Sequence, residues 1–366
     1  MNLRPTSAQE LQELVRTSNA GVRPDSRPSF LPRGGGTKTA LSRPTEGQTT
    51  VEMTGLSGVK EYDPGEYVFV ARAGTPLKEI QTLLAQHGQY LPFDPPFVQQ
   101  GATLGGTVAA NLSGSLRQRY GGVRDFILGV QFVDGAGNLV RGGGKVVKNA
   151  AGFDLPKLMV GSLGRLGILT EVAFKVFPFP RATATVEFGF EGLEAALEAL
   201  YKLAGSHFEF HALDLEPPAT LVARIGGLPE ALQARLENLR TFIGQRGTQP
   251  DGDEAQYWAG LNGLNFQATP RPASTAEGGG DWVVKVALTP KKIPALEPLL
   301  HGLPHRYMSA GNLLYVQTAD PPALDVALKT QGLSGLVLTG AVDNPYLGVN
   351  LDQVFATRVR SAMQKR

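Results

Sequence analysis

The sequence predicts an α+β protein built as two domains, and three observations carry that prediction. Short apolar alternations bounded by glycine-rich turns dominate the first half, which is the pattern of strands. After Pro178 and Pro180 the composition shifts and the glycine loops thin out. Beyond that point strands and helices follow in a β-α-β-β-α order that recurs, as two split-βαβ units side by side would produce. The boundary is therefore set near residue 180, with domains over 1–180 and 181–366. A chain of 366 residues is also longer than one ordinary core supports.

The elements follow in order. Ser7, with Glu10 three residues on, is a capping box opening a helix whose Leu11, Leu14 and Val15 share a face and which stops near Gly21. SFLPRGGGTKTAL, TTVEMTGLSGVKEYD and EYVFVARAG read as strands broken by glycine turns. Thr75 and Pro76 start a second helix, with Leu77, Ile80, Leu83 and Leu84 at helical spacing and Gly88 as its stop. FILGVQFVDGAGNLVRGG is a hairpin turning at Asp134, Gly135 and Gly137, and GILTEVAFKVFPF is the strand that closes the half.

In the second half TATVEFGF, FEFHALDLE and LVARI are strands, and EGLEAALEALYKLAG and PEALQARLENLRTFIG are helices. WVVKVAL, a helix over 293–300, NLLYVQTA, a helix from Pro322 and LSGLVLTGA repeat the rhythm. TQPDGDEAQ and TPRPASTAEGGGD are expected as surface loops, because they carry charge, Pro and Gly without period.

Composition excludes several function classes. With 35 Lys+Arg against 33 Asp+Glu there is no basic stripe of the kind that neutralises a nucleic-acid backbone. The chain has no cysteine, so it supplies no disulfide, thiolate nucleophile or iron–sulfur ligation, and any such cluster belongs to a partner. MNLRPTSAQE has no apolar signal core and no run of about eighteen apolar residues occurs, so the expectation is a cytoplasmic protein.

Glycine, at 45 of 366, exceeds its usual share of about 7% and crowds into three clusters. The first, Arg33, Gly34, Gly35, Gly36, Thr37, Lys38, lies between strands, where consecutive amides can turn toward one anion; a flexible turn is the plainer reading. Thr37 precedes Lys38, the reverse of a nucleotide-hydrolase P-loop, and no GxGxxG with a distant acid marks a dinucleotide fold. The second cluster runs from Gly101 through Thr103, Leu104, Gly105, Gly106 and Asn111 to Gly114. It is too poor in large side chains to build a core, which suits close backbone approach to a ligand or tight helix packing. The third, KNAAGFDLPKLMVGSLGRLGILTEV, carries Gly161, Gly164 and Gly167 and reads by spacing alone as a helix-to-strand connection.

PRGGGTK, GATLGGTVAANLSGSLRQRYGGVRDFILGV and that third segment, in this order and at these separations, closely resemble the FAD-binding domain of vanillyl-alcohol oxidase-type (PCMH-type) flavoproteins over about residues 30 to 180. Within that superfamily the length, RDFILGV and KNAAGFDL resemble the FAD-binding E subunits of bacterial glycolate oxidases (glycolate dehydrogenases).

The resemblance implies a PCMH-type FAD-binding domain of two subdomains followed by a smaller α+β cap with ferredoxin-like βαβ units. It implies FAD-pyrophosphate contacts from Arg33 and the amides of Gly34, Gly35, Gly36, Thr37 and Lys38. The second loop would run along pyrophosphate and flavin through Gly101, Thr103, Leu104, Gly105, Gly106 and Gly114, with Asn111 nearby. Gly167 and Ile168 would lie by the adenine end. The first loop lacks the His or Cys to which relatives bond flavin, so the FAD is expected to be noncovalent. Arg165 stands where relatives have a small hydroxyl residue and Phe153 where tyrosine is frequent, so side-chain bonds are not carried to those two positions.

Oxidising a 2-hydroxy acid calls for a base by the hydroxyl and a cation or metal by the carboxylate. No base stands out, and the catalytic residues stay unassigned. His207 and His211 have a spacing that would share a strand face, but no third metal ligand accompanies them. Arg124 and Asp125 read as a structural ion pair beside Arg119, Lys148 as a strand cap or flavin neighbour, and Tyr257 and Trp258 as core aromatics of a helix.

The expectation is thus an FAD-binding subunit of a glycolate-oxidising complex. The hydroxyacid site would lie on a larger FAD-containing partner and the iron–sulfur clusters on a third subunit, with membrane association only through the complex. A self-sufficient small FAD-dependent alcohol or hydroxyacid oxidoreductase, and a non-catalytic assembly subunit, are the alternatives.

Overall fold

Ser7 caps the first helix, α1 (Ala8–Asn19), its hydroxyl accepting the Glu10 amide at 3.1 Å. The return arm of the box differs from expectation, because Glu10 accepts from the amide and hydroxyl of Thr6. The protein is described from a computed structural model that covers residues 3–23, 26, 28–144, 153–264 and 282–349. Leu11 and Val15 of α1 are buried against Val51, Val133 and Ile168.

β1 (Ser29–Arg33) and β2 (Gln48–Glu52) pair in parallel, Arg33 beside Glu52. A five-stranded antiparallel sheet of β3 (Val59–Asp63), β4 (Val68–Arg72), β6 (Ile127–Val133), β7 (Leu139–Gly143) and β8 (Ile168–Lys175) is ordered β3-β4-β8-β6-β7. The short β5 (Gln89–Tyr90) pairs with β9 (Phe177–Pro178). α2 (Leu77–Ala85) and α3 (Leu104–Ala110) pack their apolar faces into the same core as Phe69, Phe126 and Phe174 of this region. α4 (Arg117–Tyr120), α5 (Val123–Phe126) and α6 (Leu155–Met159) are single turns.

The remaining strands form one eight-stranded antiparallel sheet, ordered β10-β12-β11-β14-β15-β13-β16-β17. They are β10 (Ala182–Gly189), β11 (Phe210–Glu216), β12 (Thr220–Gly227), β13 (Trp282–Ala287), β14 (His305–Met308), β15 (Leu313–Thr318), β16 (Ser334–Val337) and β17 (Tyr346–Gly348). The helices between them are α7 (Leu193–Ala204), α8 (Pro229–Ile243), α9 (Glu254–Asn262), α10 (Ile293–Leu296) and α11 (Pro321–Thr330). The second repeat, β13-α10-β14-β15-α11-β16, has the strand order of a split-βαβ unit, and the first, β10-α7-β11-β12-α8, matches its first five elements. The two join through β11 and β14, where Leu215 faces Tyr307.

Two expectations need correction. β14 has no strand signal in the sequence, because HRYM carries Arg306 and is only four residues long. It is a buried strand because Asp214 and Glu216 of β11 neutralise that arginine, at 3.1 and 2.8 Å. TQPDGDEAQ is not wholly a surface loop. Asp253 caps α9 through the Ala255 amide, and Glu254 accepts from Thr183, Thr185 and Arg224. TPRPASTAEGGGD lies outside the described residues.

Candidate functional site

The parallel pairing of β1 with β2 delivers the first glycine loop to the second. A Cβ on Gly35 would stand 1.9 Å from the Gly101 carbonyl oxygen, and one on Gly34 would stand 2.1 Å from Thr103 Oγ1. Glycine at these two positions is thus required by loop-on-loop contact. Only Gly36, at φ +69°, needs glycine's backbone freedom as well. The amides of Gly35, Gly36 and Thr37 donate to no protein acceptor among the described residues.

The third loop joins the other two through the end of α3: the amides of Gly161 and Leu163 donate to the carbonyls of Val108 and Ala109, each at 3.0 Å. Gly164, at φ +77°, presses on Pro32 of β1. All three glycine clusters therefore surround one pocket. Its cavity volume is about 90 Å³.

Of the residues singled out from the sequence, Gly34, Gly35, Gly36, Thr37, Lys38, Thr103, Gly105, Gly106 and Gly167 line the pocket. Ile168 and Gly167 line an adjoining cleft with Phe30, Asp134 and Arg165, which shares Pro32 and Gly164 with the pocket. The others stand behind it. Arg33 lies 3.7 Å from Glu52, Gly101 supports Gly35, and Leu104 is buried core. Asn111 ends α3 in a left-handed conformation, and Gly114 packs on Asp94 and Asn262. The amides of Leu104 and Gly105 are already held by the carbonyls of Thr75 and Ala73, at 3.0 and 2.7 Å. Leu41, Met53 and Ala73 line the pocket without any signal in the sequence, since each is an ordinary apolar residue.

Electrostatically the pocket is prepared for an anion. Lys38 is only 8% exposed, and its ammonium donates to Thr37 Oγ1 at 3.1 Å with no carboxylate partner among the described residues. Loss of hydration pushes it down to about 8. Ser162 Oγ is buried in the lining without a hydrogen-bond partner. Glycine at 106 leaves space beside Thr103 Oγ1 and Lys38 Nζ that a side chain would fill. Free amides, an unpaired cation and an orphaned hydroxyl together fit a diphosphate. The sequence had assigned Lys38 only its amide; its buried side chain is the stronger feature.

The other candidates fall elsewhere. His207 precedes β11 and stacks on Phe208, whereas His211 lies on β11 beneath Tyr120. Among the described residues no group of three or more His, Cys, Asp or Glu is arranged to hold a metal. Asp125 accepts the Gly122 amide at 2.8 Å, and it is Arg119 that forms an ion pair, with Glu209 at 2.9 Å. Trp258 is buried on α9 and Tyr257 half-buried beside it. Phe153 is 95% exposed, and Arg165 lies over the Tyr346 ring. Lys148 lies outside the described residues. No helix among the described residues is long and apolar enough to cross a membrane.

Comparison with known proteins adds chemistry to this geometry. Residues 2–143 match the family model of the FAD binding domain. The chain is 48% identical over 175 residues to glycolate oxidase subunit GlcE of Escherichia coli, covering 48% of this chain and 49% of that protein. It is 31% identical over 218 residues to glycolate oxidase subunit GlcD of Bacillus subtilis, covering 58% and 46%. The chain thus spans about half the length of the curated relatives it matches. A solved alkyldihydroxyacetonephosphate synthase superposes with a TM-score of 0.68 at 17% identity, over 91% of this chain and 71% of that one. The α+β fold expected from the sequence is therefore the fold observed, and the residues that match the FAD binding domain model lie in the N-terminal half.

Proposed function

We propose that this chain is the FAD-binding subunit of a complex that oxidises a small 2-hydroxy acid, glycolate being the first candidate. The observation that carries the reading is the pocket in which all three glycine loops meet an unpaired, buried Lys38. The names of the two glycolate oxidase relatives support the substrate class. The division of labour would follow the two sheets, with 1–180 holding the cofactor and 181–366 serving as cap and docking surface.

Lys38 and the amides of Gly35, Gly36 and Thr37 would hold the diphosphate, and Ser162 Oγ would donate to it. The cleft at Gly167 and Ile168 would take the adenine end. Bound FAD supplies two-electron redox chemistry, which no side chain of this protein provides. Neither His nor Cys occurs among the lining residues, so attachment would be noncovalent. Because the chain has no cysteine, iron–sulfur relay would fall to another subunit, beside a larger flavoprotein. The complex would work in the cytoplasm, reaching a membrane surface only through a partner.

A visible spectrum tests the first part: oxidised-flavin absorbance that passes into the supernatant on acid precipitation is expected, and a colourless chain that takes up no added FAD would overturn it. Anaerobic mixing with glycolate tests the second. Bleaching only when partner subunits are present fits a subunit role, and rapid bleaching of the isolated chain would instead make it a self-sufficient oxidoreductase.

A further inference from the structure

Helix α9 touches both halves of the protein, and its two ends do different things. At its N-terminus Glu254 accepts from Thr183 and Thr185 of β10 at 2.7 and 2.5 Å and from Arg224 of β12 at 3.2 Å. Trp258 adds a bond to Thr185 at 2.9 Å, so this end is anchored to the C-terminal sheet. At its C-terminus Asn262 Nδ2 donates to Asp94 Oδ1 at 2.5 Å, and the Asn262 carbonyl accepts the Phe97 amide at 3.1 Å. Gln100 donates to the Gly263 carbonyl at 3.3 Å. Asp94 and Phe97 hold left-handed backbones, φ 51° and 65°, which non-glycine residues adopt at a cost. Phe97 in turn accepts the Ala102 amide at 3.0 Å, and Gly101 is the residue on which Gly35 rests.

We infer that α9 is a strap that holds the second glycine loop in its cofactor-binding shape, with the Asp94–Asn262 contact as a latch that closes on the protonated carboxyl. This rests on the FAD reading for its consequence, but the latch itself is a property of the chain.

Two independent observations meet at the latch. Asn262 Oδ1 is buried with no hydrogen-bond donor. A Cβ on Gly114 would lie 3.0 Å from that oxygen and 3.1 Å from Asp94 Oδ2, so both oxygens border Gly114. An ionised carboxylate only accepts and offers that orphaned oxygen nothing, whereas a protonated one can donate. A neutral Asp94 would donate to the orphaned Oδ1 while its other oxygen accepts from Nδ2, completing a two-bond acid–amide pair. The same state is favoured by loss of hydration, which pushes the half-buried carboxyl up to about 7. Arg224 of β12 and the Asn262 bond oppose that shift, Asp214 of β11 adds to it, and the phenols of Tyr90 on β5 and Tyr315 on β15 face the same carboxyl.

The sign follows from proton linkage. The latched form keeps its proton up to about 7, whereas a released, hydrated aspartate titrates near its ordinary value of about 3.9. The latched fraction is highest at low pH and falls by up to tenfold per pH unit toward neutrality, then levels off. Between pH 5 and 7 the rate of FAD release from the full chain, read by recovery of flavin fluorescence on dilution, should therefore rise by up to about a hundredfold. Asp94→Asn supplies the donor permanently and should release FAD slowly at every pH in this window. Asn262→Leu should release it quickly at every pH.

Amide exchange of Phe97 in the flavin-free chain, corrected for intrinsic pH dependence, reads the latch without any cofactor. Protection should fall from pH 5 to 7 in the natural protein and stay constant in Asp94→Asn. An unchanged pH profile in Asp94→Asn, or Phe97 protection that is flat in the natural protein, overturns the latch. A chain whose Phe97 protection behaves as expected but which takes up no FAD overturns the cofactor reading alone.

Discussion

Lys285 Nζ lies 2.6 Å from the carbonyl oxygen of Asn111 and 3.4 Å from that of Ala110, so a strand of the C-terminal sheet caps the C-terminus of α3, the helix within the second glycine cluster. The ammonium there meets the negative end of α3, and Ala110 itself lines the pocket. Enclosure, with Arg117 nearby, pushes Lys285 down to about 8.

Lys285→Met leaves those carbonyls unpaired and should destabilise the protein by about 1–3 kcal/mol, as measured by urea unfolding at pH 7. In the natural protein the hydration penalty of the charged lysine is present in full below about 8 and is relieved as pH rises toward its unfolded value of roughly 10.4. The advantage of the natural protein over the variant should therefore widen in that window. A constant difference would show that Lys285 is hydrated.

Lys38→Met removes the cation from the pocket and should weaken FAD binding by roughly 10- to 100-fold, the effect of one charge-assisted hydrogen bond of about 1.5–3 kcal/mol. Since Lys38 sits at about 8 before binding and a diphosphate favours its charged form, FAD affinity in the natural protein should fall as pH rises above that value. Titration of the flavin-free chain with FAD at pH 7 and pH 9 checks both, and the variant should show little change between the two.

Gly35→Ala places a methyl group 1.9 Å from the Gly101 carbonyl. The first loop must lift off the second, and flavin content after purification should drop to a trace. Gly189→Ala, where an added Cβ meets nothing within 4 Å, is the matched control and should keep its flavin.

Asp214→Ala strips Arg306 of a buried partner at 3.1 Å and removes the acceptor for Ser115 Oγ and the Ser309 amide. Arg306 is 2% exposed, so the loss should be about 3–5 kcal/mol. Because Asp214 and Arg306 sit where β11 meets β14, the seam between the two repeats should open first, seen as early loss of protection at Tyr307 during hydrogen exchange.

Much of the candidate site was legible because its signal is local. Gly34, Gly35 and Gly36 sit within five residues of Lys38, and glycines clustered between strands point to a backbone surface whatever the rest of the chain does. The hairpin turning at Asp134 and the periodic faces of α1 and α2 are equally readable, since each depends on neighbours a few positions away. The role of the Lys38 side chain is not local: whether a lysine waves in water or is buried without a counter-ion depends on what folds over it.

What the sequence by itself determined was the α+β class, the repeat order of the C-terminal strands and the three loops that carry the pocket, all of them written in spacing and composition. Tertiary structure alone decided that β14 is a strand, that Asp94 and Asn262, 168 positions apart, are hydrogen-bonded, and that Lys285 caps α3. The reason is physical: a charge reveals its role only through the hydration it loses and the partner it gains, and both are settled by packing between distant segments.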